Sequence, residues 1–199
     1  FGLFVLWFRF FLGFFEEETA VKLDTIVNQP VIEAERFVLR PLRRSDQGLI
    51  EMHTADRELA RLTASIPHPL PPGYIEAFIN RAQSDGRVQD VWAFDGSADG
   101  QPEVMGLIGL TRIDEGQVEI AYWIGKAFRN TGLASEAVRA MIAANPLNST
   151  TIFASVFQDN PASARVLTNC GFQYLGDAES FSLARDATVP TWTYSLKLD

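Results

Sequence analysis

A chain of 199 residues at 47% hydrophobic composition has enough apolar material for a buried core, and one catalytic domain is the simplest organisation. A formal net charge of -8 and a pI of about 4.8 exclude a nucleic-acid partner, because neutralising phosphates requires a positive surface. The lone Cys170 excludes an internal disulfide and fits a reducing cytoplasm, no Cys and His spacing suits structural zinc, and His53 and His68 leave few ways to build a nucleophile-histidine pair.

Residues 1–15 are apolar apart from Arg9 and stop at the acidic triplet Glu16-Glu17-Glu18. The run is shorter than the roughly 20 residues of a spanning helix and lacks the marks of a signal peptide. Residues 1–20 are therefore expected to be an extension outside the fold, with Val21 a candidate true start. A membrane-surface protein acting through residues 1–15 is a rival reading.

From Glu35, the alternating Arg36-Phe-Val-Leu-Arg-Pro41 predicts a first strand, and Ser45-Asp46 caps a helix to about Ala55. Arg36, Arg40, Arg43 and Arg44 are expected on a solvated strand edge. A Pro-rich loop leads into a helix carrying Tyr74, Ala77, Phe78 and Ala82 at helical spacing, expected to cover one side of a cleft. Strands at 91–94 and 104–110 form a hairpin, and Asp114-Glu115-Gly116 turns into a third strand from Gln117 to Ile124. A helix over 131–144 and a strand over 151–156 then make a β-α-β unit. Asn160 as cap, Pro161 at the first position and Gly171 beyond the end delimit a helix from Pro161 to about Asn169. Closing strands near 172–183 and 191–198 complete an α/β fold with about seven strands, mostly antiparallel, flanked by four helices.

The chemistry-bearing segment is Arg129-Asn130-Thr131-Gly132-Leu133-Ala134, which joins a strand end to a helix start. Backbone N–H groups there have no intrahelical partner, so the turn suits a phosphate, and Gly132 and Ala134 keep side chains out of its way. Neither P-loop nor Rossmann spacing is met.

Arg129, Gly132 and Ala134 match the pyrophosphate signature of the GNAT superfamily of N-acetyltransferases, which this chain resembles over about residues 33–198. The runs Glu119-Ile-Ala-Tyr-Trp-Ile-Gly125, Gly132-Leu-Ala-Ser-Glu-Ala137 and Asn160-Pro-Ala-Ser163 are similar to the ribosomal-protein N-terminal acetyltransferase branch. The resemblance implies one acetyltransferase domain over 33–198, acetyl-CoA as cosubstrate without a metal, and an amine acceptor attacking the thioester directly in a ternary complex. Protein N-termini, peptides and small-molecule amines all remain open, with net acidity favouring a cationic acceptor. A membrane is not expected, and a monomer or homodimer is.

Residues 129–134 with Ser135, the splayed strand end at Trp123 and Ile124, and the helix start at Asn160 and Ser163 are thereby assigned to the cofactor. Glu119 is the candidate base through a water, Ile124 N–H the donor to the acetyl oxygen, and Ser163 a catalytic hydroxyl. Leu167 stands where many superfamily members carry a catalytic Tyr. The bland alternatives are a solvated strand residue for Glu119, core for Trp123, and helix capping for Asn160 and Ser163. A catalytically inactive CoA-binding module is the remaining alternative.

Overall fold

Period-two apolar alternation and helical apolar stripes organise the described residues, 28–198 in a computed structural model, into a sheet with helices on both faces. The expected extension over 1–20 lies outside these residues. The strands are β1 (Ile32–Glu33), β2 (Val38–Pro41), β3 (Gln89–Asp95), β4 (Gly106–Asp114), β5 (Gln117–Ile124), β6 (Thr151–Phe157), β7 (Gln173–Ser182) and β8 (Ala187–Lys197). The helices are α1 (Gln47–Thr54), α2 (Arg57–Arg61), α3 (Tyr74–Ala82), α4 (Leu133–Ala144) and α5 (Pro161–Asn169). Sheet order is β1-β2-β3-β4-β5-β6-β8-β7, and only β5 with β6 is parallel.

Two elements exceed the expected seven strands and four helices. β1 is a two-residue edge paired through Ile32 and Leu39, and α2 is a single turn capped by Asp56, whose side chain accepts from Glu58 N–H at 3.1 Å. Both are too short for a periodic pattern to reveal.

One face of the sheet is closed by α4 and α5. Leu133, Ala137, Val138 and Met141 of α4 and Ala164 and Leu167 of α5 pack with Ile108, Val118, Ile120 and Ile152. On the opposite face, α1 and α3 bury Ile50, Ile75 and Ile79 against Val91, Ala93 and Leu107. That cover stops short of β5 and β6, where Ala121 and Ser155 are exposed. Helix α5 begins at Pro161 with Asn160 accepting from Ser163 N–H at 3.3 Å, as its sequence signals required.

The expectation of a solvated strand edge is overturned for Arg40, whereas the Arg36 side chain is exposed. Arg36 precedes β2 and ties two elements together, as described below. Arg40 is 3% exposed: it grips Asp46 through Nη1 and Nη2 at 2.9 and 2.8 Å and Asp95 through Nε at 2.5 Å. Both sheet faces are covered there, so alternation does not deliver Arg40 to solvent, and two carboxylates distant in sequence offset its desolvation.

Removing one member of such a cluster leaves buried charge uncompensated. Arg40→Ala is expected to cost about 3 to 5 kcal/mol in urea unfolding at neutral pH. A loss below about 1 kcal/mol would show that water re-solvates the two aspartates.

Candidate active site

Strand β5 is the axis of the site. Its parallel pairing with β6 covers only Gln117, Val118 and Glu119, opposite Thr151, Ile152 and Phe153, whereas its antiparallel pairing with β4 runs on to Ile124. Beyond Glu119 the two parallel strands part. Gly125 N–H bonds Met105 O at 2.9 Å, so by two-residue alternation the backbones of Trp123 and Ala121 face β4 while those of Ile124 and Tyr122 face the gap. This corrects one expectation: the carbonyl of Trp123 lies against Gly106 of β4 and is not offered to the gap. Tyr122 takes that place beside Ile124, whose carbonyl also receives Arg129 Nε at 3.5 Å.

The side of the gap covered by α4 and α5 carries a pair of hydroxyls. Ser163 Oγ donates to Tyr122 Oη at 3.0 Å, and Tyr122 donates to the Ser163 carbonyl at 3.1 Å. Ser163 therefore bonds across to β5 and not into its own helical turn. Burial pushes the Tyr122 phenol well up, against the opposing effect of the Ser163 hydrogen bond. Tyr122 escaped the sequence reading, although alternation with Ile120 and Ile124 would have placed it on this face. Leu167 is fully buried, so no hydroxyl comes from the helix position where many superfamily members carry Tyr.

The opposite face holds Glu119, Ala121 and Trp123. Glu119 is half-buried, and desolvation raises its carboxyl above the usual range while a hydrogen bond from Ser155 of β6 pulls it back. That description fits a poised base and not a fully solvated strand residue. Trp123 packs against the cluster of Leu59, Ala60 and Ile66 and against the core beneath α1 and α3.

After β5 the chain passes a tight 3-10 turn at Lys126–Phe128 and reaches the turn that precedes α4. Asn130 and Gly132 take positive φ, 62° and 85°, and α4 begins at Leu133, two residues later than periodicity suggested. Glu136 N–H is bonded to Gly132 O at 3.1 Å, so the N–H groups of Leu133, Ala134 and Ser135 precede the intrahelical ladder. Residues 130–132 are exposed, and a Cβ added at Gly132 meets only Arg36 Nη2 at 3.5 Å. The space above the turn is open to a ligand.

Arg36 holds this turn. Its Nε bonds Glu136 Oε2 at 2.7 Å, its Nη1 bonds Thr131 O at 3.0 Å, and its backbone N–H bonds Glu136 Oε1 at 2.9 Å. Glu136 would otherwise put a bare negative charge in the first turn of α4, so Arg36 both braces the turn and keeps it receptive to an anion. The Arg129 guanidinium points elsewhere, to Asp56 at 3.4 Å and Glu58 at 3.3 Å, leaving only its backbone for the turn. Thr131 Oγ1 is spent on Phe128 O at 2.6 Å. Cys170 is half-buried, its thiol raised by burial and 3.5 Å from Ser135 O, which suits packing and not nucleophilic chemistry.

Between α2 and the far edge of the gap lies a cavity of about 490 Å³. Arg185, at the β7–β8 hairpin tip, closes it: Nε and Nη2 bond Arg61 O at 2.8 and 2.6 Å, and Nη1 and Nη2 bond Asp159 at 2.7 and 2.9 Å. Among the described residues no group of three His, Cys, Asp or Glu side chains is arranged to hold a metal, and no helix is long and apolar enough to cross a membrane.

The family described as acetyltransferase (GNAT) domain matches residues 36–173. A curated relative, the uncharacterized N-acetyltransferase p20 of Bacillus licheniformis, is 27% identical over 177 residues, covering 81% of this chain and 93% of that protein. Among solved structures, the RimL ribosomal L7/L12 alpha-N-protein acetyltransferase in complex with coenzyme A superposes with a TM-score of 0.73 at 15% identity, covering 85% of this chain and 99% of that one. Spermidine N-acetyltransferase from Vibrio cholerae, in complex with CoA and spermine, gives 0.66 at 19%, covering 79% and 94%. At these identities the structural likeness establishes the fold.

The Ser155 hydroxyl stabilises the ionised form of Glu119, so Ser155→Ala should move the Glu119 carboxyl titration further upward. Carboxyl carbon NMR through pH checks this. An unmoved midpoint would remove Ser155 as an influence on the base.

Proposed function

The chain belongs to the GNAT acetyltransferase family, and from that premise we propose that it transfers an acetyl group from acetyl-CoA to a primary amine by direct attack. The observation that carries this reading is the parting of β5 from β6 beside an anion-receptive helix start. The thioester supplies the activated acetyl group. Backbone donors of 129–135, in the turn braced by Arg36, bind the pyrophosphate. Tyr122 and Ile124, whose backbone groups face the gap, hold the pantetheine arm, and Ile124 N–H receives the charge that develops on the acetyl oxygen. Ser163 lies at the α5 side of the gap, where its hydroxyl, on turning from Tyr122 Oη, donates to the departing sulfur.

Glu119 accepts the amine proton through a water from the opposite face. An α-amine, with a pKa of about 7.7 to 8.0, costs under ~1 kcal/mol to neutralise at about pH 7.4, whereas a Lys-like amine at about 10.4 costs about 4 kcal/mol. A carboxylate already raised by burial is thus a better match to the first than an ordinary Glu. A base at Glu119 and a thioester in the strand gap would meet the amine from two sides, which supports a ternary complex over an acyl-enzyme. The proposed domain is 33–198, and residues 1–20 stand as an extension to it.

Two variants test this. Gly132→Val forces a β-branched residue to φ 85° and fills the space over the turn, so acetyl-CoA affinity by calorimetry should fall tenfold or more. Unchanged affinity in the folded variant would remove the turn as the pyrophosphate site. Glu119→Gln should lower kcat by about 10² to 10⁴-fold on a Lys-like amine while acetyl-CoA affinity stays within about twofold. The loss should be smaller on an α-amine and partly rescued at about pH 8.5, where that amine is already mostly neutral. Full turnover of Glu119→Gln at about pH 6.5 and 8.5 would dismiss Glu119 as the base.

A further inference from the structure

The cavity of about 490 Å³ has walls from α2, from Lys126 after β5 and from the tied hairpin tip. Its carboxylates are already committed. Asp56 and Glu58 face Arg129 at 3.4 and 3.3 Å, Lys126 stands 3.9 Å from Glu58, and Asp159 takes both arms of the Arg185 fork. The hydrogen bonds from Arg185 keep the Asp159 carboxyl below its usual range, with a smaller through-space contribution from Arg61.

Two further cations line the same space. Arg57 and Arg61 are exposed and one turn apart on α2, and among the described residues neither guanidinium has a carboxylate within ion-pair distance. The cavity therefore holds a local positive excess inside a chain of net charge -8. Long-range acidity steers cations toward the molecule, yet the field inside a low-dielectric cleft is set by the charges that line it.

The position of this pair relative to the base follows from β5. Trp123 shares the Glu119 face and packs against the cluster that Leu59 and Ala60 of α2 form with Ile66. Four residues of strand separate Trp123 from Glu119, about 13 Å at 3.3 Å per residue. An amine delivered to Glu119 thus extends toward α2, where the planar guanidinium forks suit carboxylate or phosphate oxygens.

We propose that the acceptor of this enzyme is an amine bearing an anionic group, carboxylate or phosphate, held by Arg57 and Arg61. This rests on the acetyl-transfer reading above and narrows its acceptor. It reverses the expectation that overall acidity favours a cationic acceptor, since a second ammonium would face two guanidiniums without a carboxylate of their own.

The test uses the full chain loaded with CoA. Calorimetry measures binding of Ala-Ala-Asp amide, Ala-Ala-Lys amide, 6-aminohexyl phosphate and spermidine, and thiol release from acetyl-CoA measures turnover separately. The anionic probes should bind about tenfold more tightly than the cationic ones at low salt, with the gap narrowing as salt is raised. Tighter peptide binding identifies a carboxylate-bearing chain end as the source, and tighter aminohexyl phosphate binding a small phosphorylated amine; either supports the proposal. In the Arg57→Gln/Arg61→Gln double variant the gap should vanish while acetyl-CoA affinity changes less than threefold. A preference for spermidine or the Lys peptide, no binding of any probe, or a gap that survives the double substitution overturns it. A tenfold loss of acetyl-CoA affinity in the double variant also overturns it, by assigning both arginines to the cofactor phosphates. Anionic probes that bind yet are not acetylated while a cationic probe is turned over also overturn it, whereas intact anion preference with no thiol release from any probe counts against the acetyl-transfer reading.

Discussion

The three-residue parallel pairing between β5 and β6 is the constraint on which the remaining architecture depends. A sheet interior normally consumes every backbone donor and acceptor, so a ligand can use strand backbone only where a ladder is broken. Here the break is held open from both sides. On one face, the Tyr122–Ser163 hydroxyl pair keeps α5 at a fixed distance from β5. At the other edge, Arg185 ties Asp159, just after β6, to the C-terminal end of α2. The unpaired stretch is therefore a rigid slot in a braced frame.

Buried charge is handled in two different ways. Arg40 with Asp46 and Asp95 is a closed cluster whose members satisfy one another, and the buried Glu136 is paired with the exposed Arg36. Glu119 has only the Ser155 hydroxyl, and burial raises its carboxyl. For a carboxylate with a folded pKa above the unfolded one, ionisation opposes folding. That penalty is absent below the unfolded pKa and fully present above the folded pKa. At neutral and alkaline pH Glu119 thus subtracts from stability, and the same desolvation makes it a stronger proton acceptor than a surface Glu. The closed pairs compensate elsewhere in the fold, which is the usual relation between a strained functional group and its scaffold.

Much of this was legible in the sequence where local chemistry dictates local structure. Asn160, Pro161 and Gly171 marked α5 because cap, first-turn and exit positions each demand a residue type. Gly132 marked the anion turn because a positive φ beside an exposed helix start suits few other residues. The burial of Arg40 was misread and the bond from Arg36 to Glu136 not anticipated because Asp95 and Glu136 lie 55 and 100 residues away, and no periodicity reports such contacts. Tyr122 was passed over for Trp123 because strand alternation reveals which side chains share a face but not which edge of the strand loses its partner. That edge emerges only when the register with β4 and β6 is known.

The same division separates the two halves of the site. The cofactor side consists chiefly of backbone groups, whose availability depends on helix starts, positive φ and a broken ladder. Those features leave compact sequence signatures, and they are compatible with many acceptors. The proposed acceptor side consists of side chains on α2, a single turn, and on the tip of the β7–β8 hairpin, joined through Arg185 and Asp159 and by the bond from Leu183 N–H to Ala64 O at 3.0 Å. Short elements and hairpin tips can exchange charges without disturbing the core, since Leu59 and Ala60 alone anchor α2 in its apolar cluster with Ile66. Solved relatives that share the fold are accordingly described as acting on a ribosomal protein in one case and on spermidine in another. Under the proposal made for Arg57 and Arg61, the exposed positions of α2, and not the net charge of the molecule, are where acceptor choice is written.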